Sequence, residues 1–188
     1  MKLDRKTEIV SCAARLFREK GYSGVTMRDI AKALDIKAAS LYNHISSKQE
    51  ILSLMILSIA GEYTRTIREI EASQAGAVQK IESVISLHID ITAANADALA
   101  SLNNDWMNLP AEHLSSFLQM RDEYEQIFRK IIGDGMATGE LKPHDPEVVI
   151  FSILSTLRTL YLWYGRKPGF TPEILRSDLR EVLLKGIA

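Results

Sequence analysis

Residues 26–48, TMRDIAKALDIKAASLYNHISSK, place two short amphipathic helices around a tight turn and then open a third helix. Thr26 is an N-cap residue, and Asp29 three positions later is placed to return a hydrogen bond to the cap's own N–H, as in a capping box. Val25 and Ile30 sit where a hydrophobic staple would form. Met27, Ile30, Ala31 and Leu34 recur at the spacing of one helical stripe. Asp35 and Ile36 end that helix, and residues 38–44 form a second one with Leu41 and Ile45 turned inward. Lys37, Ala38, Ala39, Ser40, Tyr42, Asn43 and His44 are left to face outward. Small residues beside hydrogen-bonding ones suit a helix that approaches base edges closely. Ser47 with Glu50 reads as a second capping box, which opens the long third helix. Two helices joined in this way can lay one of them into the major groove of DNA.

The charge distribution points the same way. The formal net charge of −1 averages two unlike parts. Residues 1–48 carry ten Lys/Arg against five Asp/Glu, and the remaining 140 carry thirteen against nineteen. A basic head on an acidic body is the pattern of a phosphate-binding module attached to a regulatory part.

The N-terminal residues resemble the tetracycline-repressor (TetR) family of one-component transcription factors. The matching positions are Ile9, Ala13, Ala14, Leu16 and Phe17, then Lys20-Gly21-Tyr22 and Thr26-Met27-Arg28-Asp29-Ile30-Ala31. They continue through Ser40-Leu41-Tyr42, His44 and Ser47-Lys48. Three departures stand out. Asp35 occupies the turn position where the family usually has Gly, and Asp tolerates a left-handed backbone better than most residues. Lys37-Ala38-Ala39 replaces the usual Ser-Lys-Gly, which removes the expected cap of the reading helix, and Ile45 replaces the usual Phe. The resemblance implies a double-stranded DNA operator as partner. Thr26 and Tyr42 would position phosphates, and Lys48 would add a charged phosphate contact at a helix N-terminus. Lys37, Ala38, Ala39, Asn43 and His44 would lie at or near base edges, with Arg28 and Ser40 completing the DNA-binding set.

From residue 47 onward every segment reads as helix, so the expected fold is all-α with about nine helices. The DNA-binding domain is expected over 1–48, with its motif at about 26–45, and a helical effector-binding and dimerisation domain over 49–188. The body helices are expected at 47 to the low seventies, 77–95, 97–108, 111–138, 146–164 and 172–187. Asp145-Pro146 and Thr171-Pro172 are each a cap followed by proline at the first helical position. Residues 148–163 are apolar nearly all round, and such a helix must be covered on both sides. One cover is its own core, and a second copy of the chain would supply the other. Val149, Ile153, Leu160, Leu175, Leu179 and Leu183 are the expected contacts of a homodimer, which would read a two-fold palindrome. A central helix in a larger monomeric core is the other reading.

Polar and aromatic groups on inward stripes mark an expected effector region: His88, Trp106, Phe117, Arg121, Tyr124, Phe128, Arg158 and Trp163. Each also has a plainer reading. His88 suits a hydrogen-bonded core histidine, the aromatic residues suit core packing, and Arg121 can pair with Glu125 one turn on. Arg158, a cation on an apolar helix, needs a carboxylate, a dimer mate or an anionic effector. Arg121-Asp122-Glu123-Tyr124-Glu125, Phe128-Arg129, Ile131-Ile132, Gly139-Glu140-Leu141, Trp163-Tyr164 and Pro168-Gly169 are similar to family members that respond to acyl-coenzyme A thioesters. The implied effector is small and hydrophobic: such a thioester, or a drug or signalling lipid.

Cys12 is the sole cysteine, which leaves no intrachain disulfide or cysteine metal cluster, and it reads as a buried small apolar residue. No Glu-x-x-His or His-Glu-x-x-His spacing occurs, and no serine or cysteine has a nucleophile setting. Gly133-Asp134-Gly135 has no preceding strand and no third glycine, so it reads as a helix end rather than a dinucleotide loop. An enzyme is not expected, and neither a cofactor nor a metal is called for. The charged N-terminus lacks the apolar core of a signal peptide. The apolar run at 148–163 is broken by Ser152, Ser155, Thr156, Arg158 and Thr159, so no membrane span and a cytoplasmic location are expected. The most favoured reading is a repressor released by its effector. An activator, or a helical dimer whose head docks another protein, stays open; steep salt dependence would mark phosphate contact.

Overall fold

The computed structural model describes residues 4–162, 164 and 169–188, and all its regular elements are helical. These are α1 (Arg5–Lys20), α2 (Met27–Ala33), α3 (Ala38–Tyr42), α4 (Lys48–Ala72), α5 (Ala77–Asn104), α6 (Ala111–Thr138), α7 (Pro146–Thr159) and α8 (Pro172–Leu184). Two single-turn 3₁₀ segments, Trp106–Asn108 and Leu160–Leu162, lie between them. The count falls from about nine to eight because the helices expected at 77–95 and 97–108 are one helix with a break. Asn95 has φ −135° and ψ 30°, outside the helical region. An asparagine amide competes for nearby backbone groups, which makes it a residue at which a helix gives way.

The chain divides into two compact units. The first comprises residues 1–60 and 97–118, and the second 61–96 and 119–188. In the first unit Ile9, Ala13, Phe17, Val25, Ile30, Ala31, Leu41, Ile45, Ile51 and Leu52 are buried, whereas Met27 and Leu34 of the expected α2 stripe are half-buried. Cys12 is buried there too, and burial raises its thiol pKa. Phe17 and Tyr22 meet edge to face with ring centroids 5.1 Å apart. The 97–118 segment is tied to α1 and α4 by polar contacts. Arg18 pairs with Asp97 at 2.7 Å, and Ser53 Oγ lies 2.7 Å from His113 Nδ1. Trp106 and Phe117 pack ring to ring at 5.9 Å.

In the second unit Ile67, Ile81, Val84, Ile85, Phe128, Ile131, Ile132, Ile153, Leu154 and Leu157 are buried. Both proline-led helix starts form as expected: Asp145 accepts from the Glu147 N–H and Thr171 from the Ile174 N–H. α6 continues through Gly133 and Gly135 and stops before Gly139, whose φ of +79° closes it. Gly135 is required by close approach. A methyl group there would overlap the Ala77 methyl and stand 2.8 Å from Leu141 Cδ1. Gly135→Ala is therefore expected to cost about 1–3 kcal/mol through overpacking, despite alanine's better helix propensity. Urea denaturation checks this; an unchanged or raised midpoint would contradict it.

Val149, Ile153, Leu160 and Leu175 are buried within the chain itself, with Leu179 and Leu183 partly covered, so the stripe expected for dimer contact faces the chain's own core. The opposite face of α7 is open: Val148 is 60% and Phe151 73% exposed, and Ser152, Ser155 and Thr159 share that side. Ile174 and Val182 are exposed on α8. Among the described residues no helix is long and apolar enough to cross a membrane.

Candidate nucleic-acid interface

The reading helix is held by local chemistry at both ends of α2. At its start the capping box closes as expected. The Asp29 N–H donates to Thr26 Oγ1 at 3.2 Å, while Asp29 Oδ2 accepts from the Thr26 N–H at 2.8 Å and its hydroxyl at 2.6 Å. These bonds hold the Asp29 carboxyl below its usual pKa. They also engage the Thr26 hydroxyl proton, which was expected to serve a phosphate. At the far end the Asp35 N–H donates to Lys32 O and the Ile36 N–H to Ala31 O, the paired bonds of a Schellman turn. Asp35 takes the left-handed position of that turn with φ 52°, the role the family gives to glycine, and is the one non-glycine residue with positive φ among those described. Asp35→Gly is expected to leave stability within about 1 kcal/mol, since relief of strain and added unfolded-state entropy oppose each other. Asp35→Val is expected to cost about 1–2 kcal/mol, because a β-branched side chain resists this backbone. Guanidinium melts of the two variants measure the gap; equal midpoints would contradict the strain argument.

α3 is shorter than the expected 38–44. It ends at Tyr42, with Asn43 as its C-cap, although the His44 and Ile45 N–H groups still bond to Leu41 O. Lys37 is its N-cap and makes no side-chain cap bond, as the replaced cap residue implied. Leu41 and Ile45 are buried, while Lys37, Ala39, Tyr42, Asn43 and His44 are exposed and Ala38 and Ser40 half-buried. Tyr42 is 52% exposed. Thr26 and Arg28 are exposed as well. Beside the start of α3 lies a hollow of about 440 Å³, lined by Arg28, Ala31, Lys32, Asp35, Ile36, Lys37 and Ala38. Three cations against one carboxylate favour an anion there.

Lys48 has work that sequence reading missed. Its ammonium donates to Tyr22 O at 2.7 Å and Val25 O at 2.8 Å, and stands 4.2 Å from the Tyr22 ring centroid. It thus locks the start of α4 to the chain between α1 and α2, and one of its three N–H donors remains for a phosphate. The second capping box is also shifted. Ser47 Oγ accepts from the Glu50 N–H as expected, but the Glu50 carboxylate reaches the Ser46 N–H and hydroxyl instead of Ser47. Those bonds, with Lys6 at 3.0 Å, hold the Glu50 carboxyl down to about 2.

The expected effector residues fall into both units. Trp106 and Phe117 belong to the first; His88, Arg121, Tyr124, Phe128 and Arg158 belong to the second; Trp163 lies outside the described residues. In the second unit a buried polar cluster forms. His88 Nε2 is 2.9 Å from the Tyr124 hydroxyl, and the Tyr63 ring lies 4.6 Å from His88 and 5.8 Å from Tyr124. Burial, then the Arg158 charge, pushes the His88 pKa down to about 3, so the ring is neutral. Burial raises the Tyr63 and Tyr124 hydroxyls well above their usual range, so both keep their protons. Arg158 finds its carboxylate in Glu125 at 2.7 Å, and Arg121 approaches the same oxygen at 3.5 Å from one turn away. Phe128 is fully buried core. The Glu125 link to Arg158 spans two helices that no local pattern joins.

A short exposed helix fixed on a Schellman turn, with a cationic hollow at its start, defines a helix-turn-helix DNA-binding protein. Residues 9–55 match the family model described as bacterial regulatory proteins, tetR family, and residues 74–187 match the tetracyclin repressor-like C-terminal domain. The chain belongs to the TetR family, and is a DNA-binding transcriptional regulator rather than an enzyme. It is similar to the HTH-type transcriptional repressor KstR2 of Rhodococcus jostii (strain RHA1), 25% identical over 189 residues that span 100% of this chain and 93% of that protein. The solved ketosteroid transcriptional regulator KstR2 of Mycobacterium tuberculosis shares the fold with a TM-score of 0.92 at 21% identity, covering 100% of this chain and 97% of that one. AibR, solved in complex with isovaleryl coenzyme A and operator DNA, shares it with a TM-score of 0.81 at 22% identity, covering 95% and 97%.

Proposed function

We propose that the protein is a homodimeric repressor that binds a palindromic operator through residues 1–48 and is released when residues 49–188 take up a small hydrophobic effector. The observation that carries this reading is the outward side of α3 and its flanks: Ala39 and Tyr42 on the helix, with Lys37, Asn43 and His44 at its ends, are exposed together on a segment anchored by Leu41 and Ile45. Tyr42, Arg28 and the free donor of Lys48 serve phosphates. Thr26 holds the frame, and Asn43, His44, Lys37, Ala38 and Ala39 meet base edges, with Ser40 beside them. Dimerisation uses the open faces of α7 and α8, where Val148, Phe151, Ile174 and Val182 are exposed. Release follows if the effector binds a form whose two reading helices no longer match the half-sites. The effector class is an acyl-coenzyme A thioester, supported by the fold shared with AibR and by the buried polar cluster in the second unit.

Selection from a random DNA library tests the reading. A motif with two-fold symmetry is expected, bound with a steep salt dependence and weakened by isovaleryl coenzyme A. Enrichment of no sequence, or of a motif without a dyad, would overturn the dimeric operator. A thioester panel that leaves both operator affinity and melting temperature unchanged would overturn the effector class.

A further inference from the structure

We propose that His88 and Thr92 form a subsite for one neutral carbonyl oxygen carried on the apolar skeleton of the effector. The inference rests on the effector-binding reading of residues 49–188 and names the ligand group that this region recognises. α5 sets the two residues one turn apart on the same face, and they are 3% and 1% exposed. Neither His88 Nδ1 nor Thr92 Oγ1 has a hydrogen-bond partner among the described residues. Both atoms therefore carry unmet demand in a place where polar groups are normally paired.

Thr92 differs from four other helical hydroxyls of this chain. Ser83, Ser116, Ser152 and Thr156 each donate to the carbonyl four residues back. All four are exposed or half-buried, whereas Thr92 is buried and does not back-bond. The proton positions on the histidine follow from its other contact. The Tyr124 hydroxyl keeps its proton, and His88 Nε2 is its partner among the described residues. The hydroxyl donates to the Nε2 lone pair, which puts the ring proton on Nδ1 of the neutral imidazole. Nδ1–H and the Thr92 O–H are then two donors on adjacent turns. A carbonyl oxygen, with two lone pairs and no proton, accepts from both.

Charge argues for a neutral oxygen rather than a carboxylate. Arg158, whose field acts on His88, is already matched by Glu125 at 2.7 Å. An anion brought to two neutral donors would lose its hydration with no free cation supplied by that pair. The Tyr63 and Tyr124 rings pack against His88, with centroids 4.6 Å and 5.9 Å from its own, so the histidine's neighbours are largely aromatic carbon.

Two probes that differ by one oxygen test this: the bicyclic ketone 1-decalone and its parent hydrocarbon decalin, titrated by calorimetry into the full-length protein and its Thr92→Val variant. The wild-type protein is expected to bind the ketone about tenfold tighter than the hydrocarbon. Thr92→Val should remove most of that ratio while leaving decalin affinity unchanged. Without ligand the variant should melt at the wild-type temperature or higher, because an unpartnered hydroxyl contributes nothing to lose. Equal affinity for the two probes in the wild type overturns the subsite but leaves the effector reading standing. A variant that keeps the full ratio, or melts several degrees lower without ligand, also overturns it, the latter because the hydroxyl would already be bonded. Binding of neither probe would count against the apolar effector region as a whole, and against the subsite with it.

Discussion

Phe151→Glu is expected to turn the proposed homodimer into a monomer and to weaken operator binding on the order of a thousandfold, since each binding event then loses one of its two half-sites. Phe151 is the most exposed large apolar residue on α7, at 73%, and it projects from a side otherwise made of Val148, Ser152, Ser155 and Thr159. Small hydroxyl residues let another helix approach closely, and a phenylalanine among them offers a large area to bury. A carboxylate at its position would be buried unpaired in the dimer yet harmless in a monomer. Sedimentation velocity with a matched melting curve separates loss of pairing from loss of fold. A Phe151→Glu protein that still sediments as a dimer would move the interface elsewhere.

Lys48→Ala is expected to weaken binding to all DNA sequences alike by about tenfold and to make the salt slope shallower by about 1. It should also lower stability by about 1–3 kcal/mol, because the Tyr22 and Val25 carbonyls lose their donor and the Tyr22 ring loses its cation. The two consequences are separable. A variant that melts lower but retains affinity and slope would make Lys48 a brace alone. One that keeps its melting temperature and loses the slope would make the phosphate contact its whole contribution.

The sequence was most legible where a structure is decided within a few residues. Thr26 with Asp29, the left-handed Asp35, and the caps at Asp145 and Thr171 are all local devices, and each forms as read. Ser47 with Glu50 was half legible: a glutamate is long enough to reach past its nominal partner, and it settles on Ser46. The faces of α7 were misassigned for a different reason. A helix apolar nearly all round has no single period to mark its inner side, so Val149 and Ile153 were read as outward when they line the chain's own core. The discriminating signal was the run of Ser152, Ser155 and Thr159, which lies on the opposite side. The Arg158–Glu125 and Arg18–Asp97 pairs were beyond periodicity, because they join residues brought together by tertiary packing.

The division of the chain bears on how such regulators could be recombined. The backbone passes between the two compact units three times, near residues 60, 96 and 118, so no single cut separates them. A fragment ending at residue 60 would leave behind Asp97, the partner of Arg18, and His113, which meets Ser53 in α4. Transplanting this reading head onto another body would therefore require the 97–118 segment to travel with it, as a discontinuous graft rather than an N-terminal cassette.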